Sequence, residues 1–273
     1  MTKTEKLLRE LIALPSVNPA FLPANDPNAG EKRVGEYLAA IAARAGLDVE
    51  FRSVFPNRSN LLATYRPSGK PKRRVLLAPH MDTVGPPGAV FTPQLKGNRL
   101  YGRGACDTKG SIAVMLSALL EMAESPRRPT QTEIIFAGLI DEESLQAGSR
   151  ALAASRFKAD FAIIGEPTRC KVVTAHKGAV WLKLETHGKA AHTARPELGR
   201  NAVYEMARAC TLLETQYTAQ LLKRTHRLLG HGTINVGAIH AGQQDDPSDL
   251  SGPIASHLHL FVVPCQKIDI RRY

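Results

Sequence analysis

The stretch Leu76-Leu-Ala-Pro-His-Met-Asp-Thr-Val84 ends an apolar run in a histidine, with an aspartate two residues further on. The run that leads into it, Arg74-Val-Leu-Leu-Ala78, reads as a short buried strand of an α/β protein. In sheets of that kind ligands gather at the carboxyl ends of the strands. His80 therefore stands where chemistry is usually placed. A neutral imidazole binds a metal through one nitrogen and needs a partner for the other, and a nearby carboxylate such as Asp82 can fix its tautomer. Taken alone, His-x-Asp fits a hydrogen-bonded histidine capping a strand equally well, so the rest of the chain decides.

Working outward, residues 3–13 and 30–46 have helical spacing. In the second, Val34, Leu38, Ile41 and Ala42 share a face and Gly46 closes the helix. The segment between them holds Pro15, Pro19, Pro23 and Pro27 and reads as an ordered loop or crossover. Strands are expected at about 48–54, 59–65, 74–79, 132–139 and 160–164, with helices at 110–124 and 145–155. Strands alternating with helices imply a mostly parallel sheet covered by helices. After about residue 175 the texture changes: a strand at 179–186, a helix at 201–215 and a strand at 232–240 suit a smaller α+β domain. From Gln243 to His259 periodicity is lost.

The bulk numbers narrow the class. The 273 residues are 43% hydrophobic, enough for one large or two modest cored domains. The start carries no signal-peptide pattern, and no apolar run is long enough to span a membrane. Cys106, Cys170, Cys210 and Cys265 are scattered and form no Cys-x-x-Cys pair, which points to reduced thiols in a cytoplasm. The net charge of +11 raises the question of nucleic acid. Aromatics are only 5%, however, and the one dense basic cluster, Lys70-Pro-Lys-Arg-Arg74, reads as a solvated turn, so no nucleic-acid partner is expected. The positive field suits small carboxylate substrates instead.

Carboxylates recur at comparable places. Asp107 lies in the glycine-rich turn Tyr101-Gly-Arg-Gly-Ala-Cys-Asp-Thr-Lys-Gly110, just before a helix. Asp141-Glu142-Glu143 follows the apolar run Ile134–Ile140, and Glu166 follows Phe161-Ala-Ile-Ile164. Any one of these is ordinarily a loop acid or a helix cap. Several acidic sites and a histidine at repeated strand ends are harder to explain that way. Carboxylates crowded at one sheet edge repel one another, and divalent cations offset that repulsion. Mixed nitrogen and oxygen donors suit zinc, with cobalt or manganese as alternatives. Adjacent Glu142 and Glu143 then divide the labour, one binding metal and the other taking a proton from water.

These stretches resemble the zinc-dependent family that includes acetylornithine deacetylase, succinyl-diaminopimelate desuccinylase, aminoacylase and glutamate carboxypeptidase. The resemblance is carried by PHMDTV, GRGACDTKGSIAVML, IDEESLQAGSRAL, IIGEPT, GKAAHTARPELGRNAV and GTINVGAIHAG, in the family's order from about residue 11 to 242. It implies a zinc-exopeptidase-like catalytic domain over 1–175 and a ferredoxin-like dimerisation domain over 176–273. It also implies two zinc ions and cleavage of the amide bond of an N-acyl amino acid or small peptide. By resemblance His80 and Glu166 hold one zinc, Asp107 bridges, and Glu143 holds the second; Glu142 is the general base and Asp82 orients His80. His192, on the small-residue loop Gly188–Pro196, matches a histidine that reaches across a homodimer to the partner's site. Arg103 and Lys109 flank Asp107 as charge-balancing residues.

The resemblance departs at the end. In the family the chain returns to complete the catalytic sheet, and a late histidine supplies the last ligand of the second zinc. After GTINVG this chain runs through a scrambled stretch, resumes a family-like strand at Val263–Arg272 and stops at Tyr273. His231, His240, His257 and His259 belong to the smaller domain and are not expected to substitute. A truncated or frame-disrupted product is therefore expected to hold one zinc. The alternatives to an N-acyl amino acid hydrolase are a di- or tripeptidase or carboxypeptidase of the same family, and an inactive remnant that keeps only dimerisation.

Overall fold

The computed structural model describes residues 1–85, 90–192, 194–241 and 255–263. The chain divides into two compact units, Met1–Cys170 and Lys171–Tyr273, where the sequence reading draws the boundary at 175.

The first unit runs α1 (Lys3–Ile12), α2 (Lys32–Arg44), β1 (Asp48–Phe55), β2 (Arg58–Tyr65), β3 (Arg73–Pro79), β4 (Gln94–Lys96), β5 (Arg99–Tyr101), α3 (Lys109–Glu124), β6 (Thr132–Gly138), α4 (Ala147–Ala154) and β7 (Phe161–Gly165). Its main sheet has the order β1-β2-β6-β3-β7. Strands β6, β3 and β7 are parallel neighbours, while β2 joins β6, and β1 joins β2, in antiparallel fashion. The sheet is thus mixed, with the parallel part at the centre and on one side.

Helices cover both faces, and this explains the uninterrupted apolar runs in the sequence. Leu61 and Phe136 point into one core with Leu7, Leu11, Val34, Leu38, Ile112 and Leu116 from the first three helices. Their sequence neighbours Leu62 and Ile135 point the other way, into a core with Leu76, Ala137, Leu139 and Leu152 of α4. Each fully buried side chain of this size contributes roughly 1.5–3 kcal/mol over its exposed state. The edge strand β7 is less covered: Phe161, Ile163 and Ile164 are exposed among the described residues.

The helix ends follow local chemistry. The Thr2 hydroxyl accepts the Glu5 N–H at 3.1 Å and caps α1. Gly46, at φ +77°, takes the left-handed conformation that ends α2, as the sequence predicts.

The second unit carries β8 (Val180–His187), α5 (Ala202–Leu212), α6 (Thr218–Leu222), the two-residue strands β9 (Thr225–His226) and β10 (Gly230–His231), β11 (Thr233–Ala241) and β12 (Ala255–Val263). The three long strands form an antiparallel sheet in the order β11-β12-β8. Met206 of α5 is buried against Leu184, Ile234 and Val236, which makes this an α+β unit. The Asn201 side chain caps α5 by accepting the N–H of Val203 and of Tyr204. β12 arises inside the stretch that shows no periodicity. The family-like strand expected at 263–272 lies, beyond Val263, outside the described residues.

Candidate metal centre

The parallel register brings three strand ends level. Pro79 pairs with Gly165, and His80 makes a bridge to Leu139. The Met81 N–H donates to the Leu139 carbonyl at 2.7 Å, and the Leu139 N–H to that of Pro79 at 3.0 Å. His80 after β3, Glu142 and Glu143 after β6, and Glu166 after β7 therefore emerge at one edge. Asp107 is delivered to it by the turn before α3. The Thr108 hydroxyl donates to the Gly165 carbonyl at 2.7 Å, tying that turn to the end of β7. A side chain at Gly165 would come within 2.7 Å of Ser111, so this close approach requires glycine. Gly104, at φ +77°, lets the turn fold back over Thr83 and Lys109.

The imidazole of His80 is buried, with 1% side-chain exposure. Its Nε2 faces Asp107 Oδ1 at 3.0 Å, Glu166 Oε1 at 3.8 Å and Glu142 Oε2 at 3.9 Å. Ligand atoms of His80, Asp107 and Glu143 lie within 4.8 Å of one another, and so do those of His80, Glu142 and Glu166. Five of the seven residues singled out in the sequence, His80 and the carboxylates of Asp107, Glu142, Glu143 and Glu166, thus gather in one cluster. Asp82 stands behind it. His80 Nδ1 is 3.0 Å from the main-chain carbonyl of Asp82 and 3.5 Å from its carboxylate, so the nearer orienting group is the carbonyl. The Asp82 carboxylate also accepts the backbone N–H groups of Glu142 and Glu143, each at 3.0 Å, and the Asn18 amide at 2.8 Å. His192 belongs to the second unit and is exposed there, with its Nδ1 accepting the Ala194 N–H at 3.1 Å.

The electrostatics register the crowding. Burial would lower the His80 pKa, but hydrogen bonds with Asp107 and Asp82 and the charges of Asp82 and Glu166 raise it to about 11. Burial, then the Asp107 charge, raises Glu143 to about 7 against the opposing effect of His80. Burial also raises Glu166 to about 7, again opposed by His80 and reinforced by Glu142 and Asp107. Asp82 goes the other way: burial opposes ionisation, but hydrogen bonds from His80 and Asn18 hold its pKa below the usual carboxylate range. One imidazole nitrogen and four carboxylates, two of them resisting ionisation, form a donor set that fits a divalent cation of the zinc type.

Residues that sequence reasoning missed form the support. Asn18 Nδ2 also donates to Asp141 Oδ1 at 3.1 Å. Arg58 reaches Asp141 at 3.2 Å and Glu31 at 2.6 Å, and Glu31 accepts the Asp141 N–H at 3.2 Å. Lys109, read as a charge balancer, is buried and donates to the carbonyls of Leu11 at 2.9 Å and Leu14 at 2.6 Å, at the end of α1. Burial, with Arg33 nearby, lowers its pKa to about 7. The one signal pointing to Asn18 was its place among the prolines of an ordered loop.

An α/β unit whose parallel strand ends bring a histidine and carboxylates together presents a candidate metal site of the kind that defines a class of hydrolases. The chain belongs to peptidase family M20/M25/M40, whose profile matches residues 76–244. It is 32% identical over 233 residues to a peptidase M20 domain-containing protein of Schizosaccharomyces pombe, covering 83% of this chain and 55% of that one. It is 32% identical over 265 residues to the acetylornithine deacetylase of Vibrio vulnificus, covering 93% of this chain and 68% of that one. Its fold matches an M20 family metallo-carboxypeptidase from Sulfolobus solfataricus with a TM-score of 0.65 and 16% identity, over 100% of this chain and 73% of that one. The chain thus spans between about half and three quarters of the length of these proteins.

Proposed function

We propose that this chain carries the metal-binding core of a hydrolase that cleaves the amide bond of an N-acyl amino acid. The observation that carries the reading is the convergence of Asp107, Glu142, Glu143 and Glu166 on His80, with Asp107, Glu142 and Glu166 facing its Nε2. His80, Asp107 and Glu166 would hold one zinc ion, and Asp107 and Glu143 would contribute to a second. Bound zinc would supply Lewis acidity toward the substrate carbonyl and toward water.

Glu142 is the residue free to move a proton. The resemblance singles it out; its carboxylate, 35% exposed beside 36% for Glu166, accepts the Gln146 amide at 3.3 Å, and its backbone is held by Asp82. In this reading it accepts a proton from the attacking water and returns it to the leaving amine. Asp82 and the main chain around it keep His80 turned so that Nε2 faces the carboxylates. His192 would bind the developing negative charge on the carbonyl oxygen of a partner subunit's substrate in a homodimer.

The similarity to an acetylornithine deacetylase supports an N-acyl amino acid as substrate, and the fold shared with a metallo-carboxypeptidase keeps peptides as the second reading. No described helix is long and apolar enough to cross a membrane. The free thiols Cys106, Cys170 and Cys210 support a cytoplasmic setting. The test is turnover by the zinc-loaded protein of N-acetyl-L-ornithine beside a dipeptide panel. Hydrolysis of the first bears out the reading, and hydrolysis of the peptides alone moves it to the second. Zinc bound with no turnover of either overturns the enzymatic reading and leaves a metal-binding remnant.

A further inference from the structure

The loop that precedes α2 reaches the metal-centre edge through one side chain. Ser16–Asn18 runs alongside Met81–Thr83: the Thr83 N–H donates to the Ser16 carbonyl at 3.0 Å, and the Asn18 N–H to the Thr83 carbonyl at 2.9 Å. The Ser16 hydroxyl donates to the Met81 carbonyl at 2.8 Å. This pairing holds Asn18 fully buried between two buried acids. Its single amide nitrogen donates to Asp82 at 2.8 Å and to Asp141 at 3.1 Å, while its oxygen accepts the Ala20 N–H at 3.0 Å. Every polar atom of the side chain is thereby committed, and its orientation is fixed.

The two acids it joins flank the turn that presents Glu142 and Glu143. Asp82 accepts both of their N–H groups. Asp141, immediately before them, has φ 65°, a left-handed conformation that a non-glycine residue keeps only when its surroundings impose it. Glu31 and Arg58 hold Asp141 from the far side. Without a donor between them, the carboxylates of Asp82 and Asp141 would face each other in a buried setting, where like charges repel strongly.

We propose that Asn18 is a positioning residue: its amide locks Asp82 to Asp141 and so sets the turn that carries Glu142 and Glu143. Its consequence for zinc and for turnover rests on the function proposed above; its consequence for the turn does not. The competing role is a local one, in which Asn18 only caps the short 3-10 turn Pro19–Phe21.

Two substitutions separate these roles. Asn18→Ala removes donor and cap together. Asn18→Asp keeps an oxygen for the Ala20 N–H, since aspartate caps as well as asparagine, but loses the amide donors. Amide hydrogen exchange is read by mass spectrometry on peptides covering Leu139–Gln146, with β6 as internal reference. We expect both substitutions to speed exchange in 139–146 by about tenfold or more and to leave β6 protected. We also expect zinc affinity to fall by about 10–100-fold, the usual effect of losing a partner that orients ligands. Wild-type exchange in Asn18→Asp would reduce Asn18 to a cap, and equal acceleration of β6 would make its role one of global stability; either overturns the proposal. If the unsubstituted protein binds no zinc, the metal reading fails while the exchange result still decides the role of Asn18.

Discussion

Asp82 Oδ2 accepts the backbone N–H of Glu143 at 3.0 Å, so a residue just after one strand fixes the turn that follows its neighbour. The same carboxylate accepts the Glu142 N–H at 3.0 Å, and it is fully buried. Asp82→Ala leaves both N–H groups and the Asn18 amide without their acceptor. Each unsatisfied buried donor costs about 1–3 kcal/mol. Urea denaturation should therefore show a loss of at least about 2 kcal/mol, with zinc affinity reduced by about 10–100-fold. A variant with wild-type stability and zinc affinity would show that the turn holds itself.

Glu142→Gln tests the division of labour between the adjacent acids. The amide keeps the shape but cannot accept a proton. Turnover should fall by about 10²–10⁴-fold with zinc content unchanged. Retained activity at unchanged zinc content would reassign the base, most simply to Glu143.

What the sequence makes legible follows from burial. The strands around His80 are covered on both faces, so they read as apolar runs, and the site acids were found because they follow those runs directly. The β4–β5 pair left no such trace: Gln94, Lys96, Arg99 and Tyr101 are exposed and give no apolar pattern. β12 was hidden for a related reason. Its backbone pairs with β8 and β11, yet it emerges from a stretch dominated by Asp, Ser, Pro and His. The network behind the site was illegible because it is non-local. Arg58 meets Glu31 across 27 positions, and Asn18 meets Asp141 across 123. No local period marks such pairs.

Proton linkage gives a third prediction. With its pKa raised to about 11, His80 holds a proton in the metal-free protein at pH 7.5. A metal ligand must give that proton up. Zinc loading at pH 7.5 should then release about one proton per chain, and more at pH 6, where Glu143 and Glu166 are also partly protonated. All three groups have raised folded values. The stability that Glu143 and Glu166 contribute by holding protons is lost between their ordinary value of 4.5 and about 7, and that of His80 between 6.5 and about 11. Lys109 works the other way: its value, lowered to about 7 from 10.5, adds stability as pH rises between those limits and offsets the His80 loss there, so the metal-free protein should lose stability mainly from about pH 5 to pH 7, and zinc should restore most at the higher pH. Calorimetry in buffers of different ionisation enthalpy counts the protons. Zinc uptake without proton release would place the metal away from His80.

The proposed role of His192 predicts complementation. A His192→Ala chain and a Glu142→Gln chain, each nearly inactive alone, should regain partial activity when mixed, because one site of the heterodimer is intact. Verified heterodimers without rescue would remove the claim that His192 acts across subunits.

Zinc stoichiometry follows from the sharing of one nitrogen. Both groupings of candidate ligands among the described residues include His80, yet its Nε2 can bind only one ion. Its Nδ1 is occupied by Asp82. In the assignment proposed above, which takes Asp107 from one grouping and Glu166 from the other, an ion at His80, Asp107 and Glu166 would have three protein ligands, the number zinc keeps even in an open catalytic site. A second ion would be left with Asp107 and Glu143, two carboxylates and no nitrogen. Zinc analysis after exhaustive dialysis should therefore find about one tightly held ion per chain, with a second appearing only at raised free zinc. His80→Ala should abolish the tight ion, and Glu143→Gln should spare it while removing the weak one. Two ions of equal affinity surviving dialysis would show that the second site draws a ligand from outside this cluster.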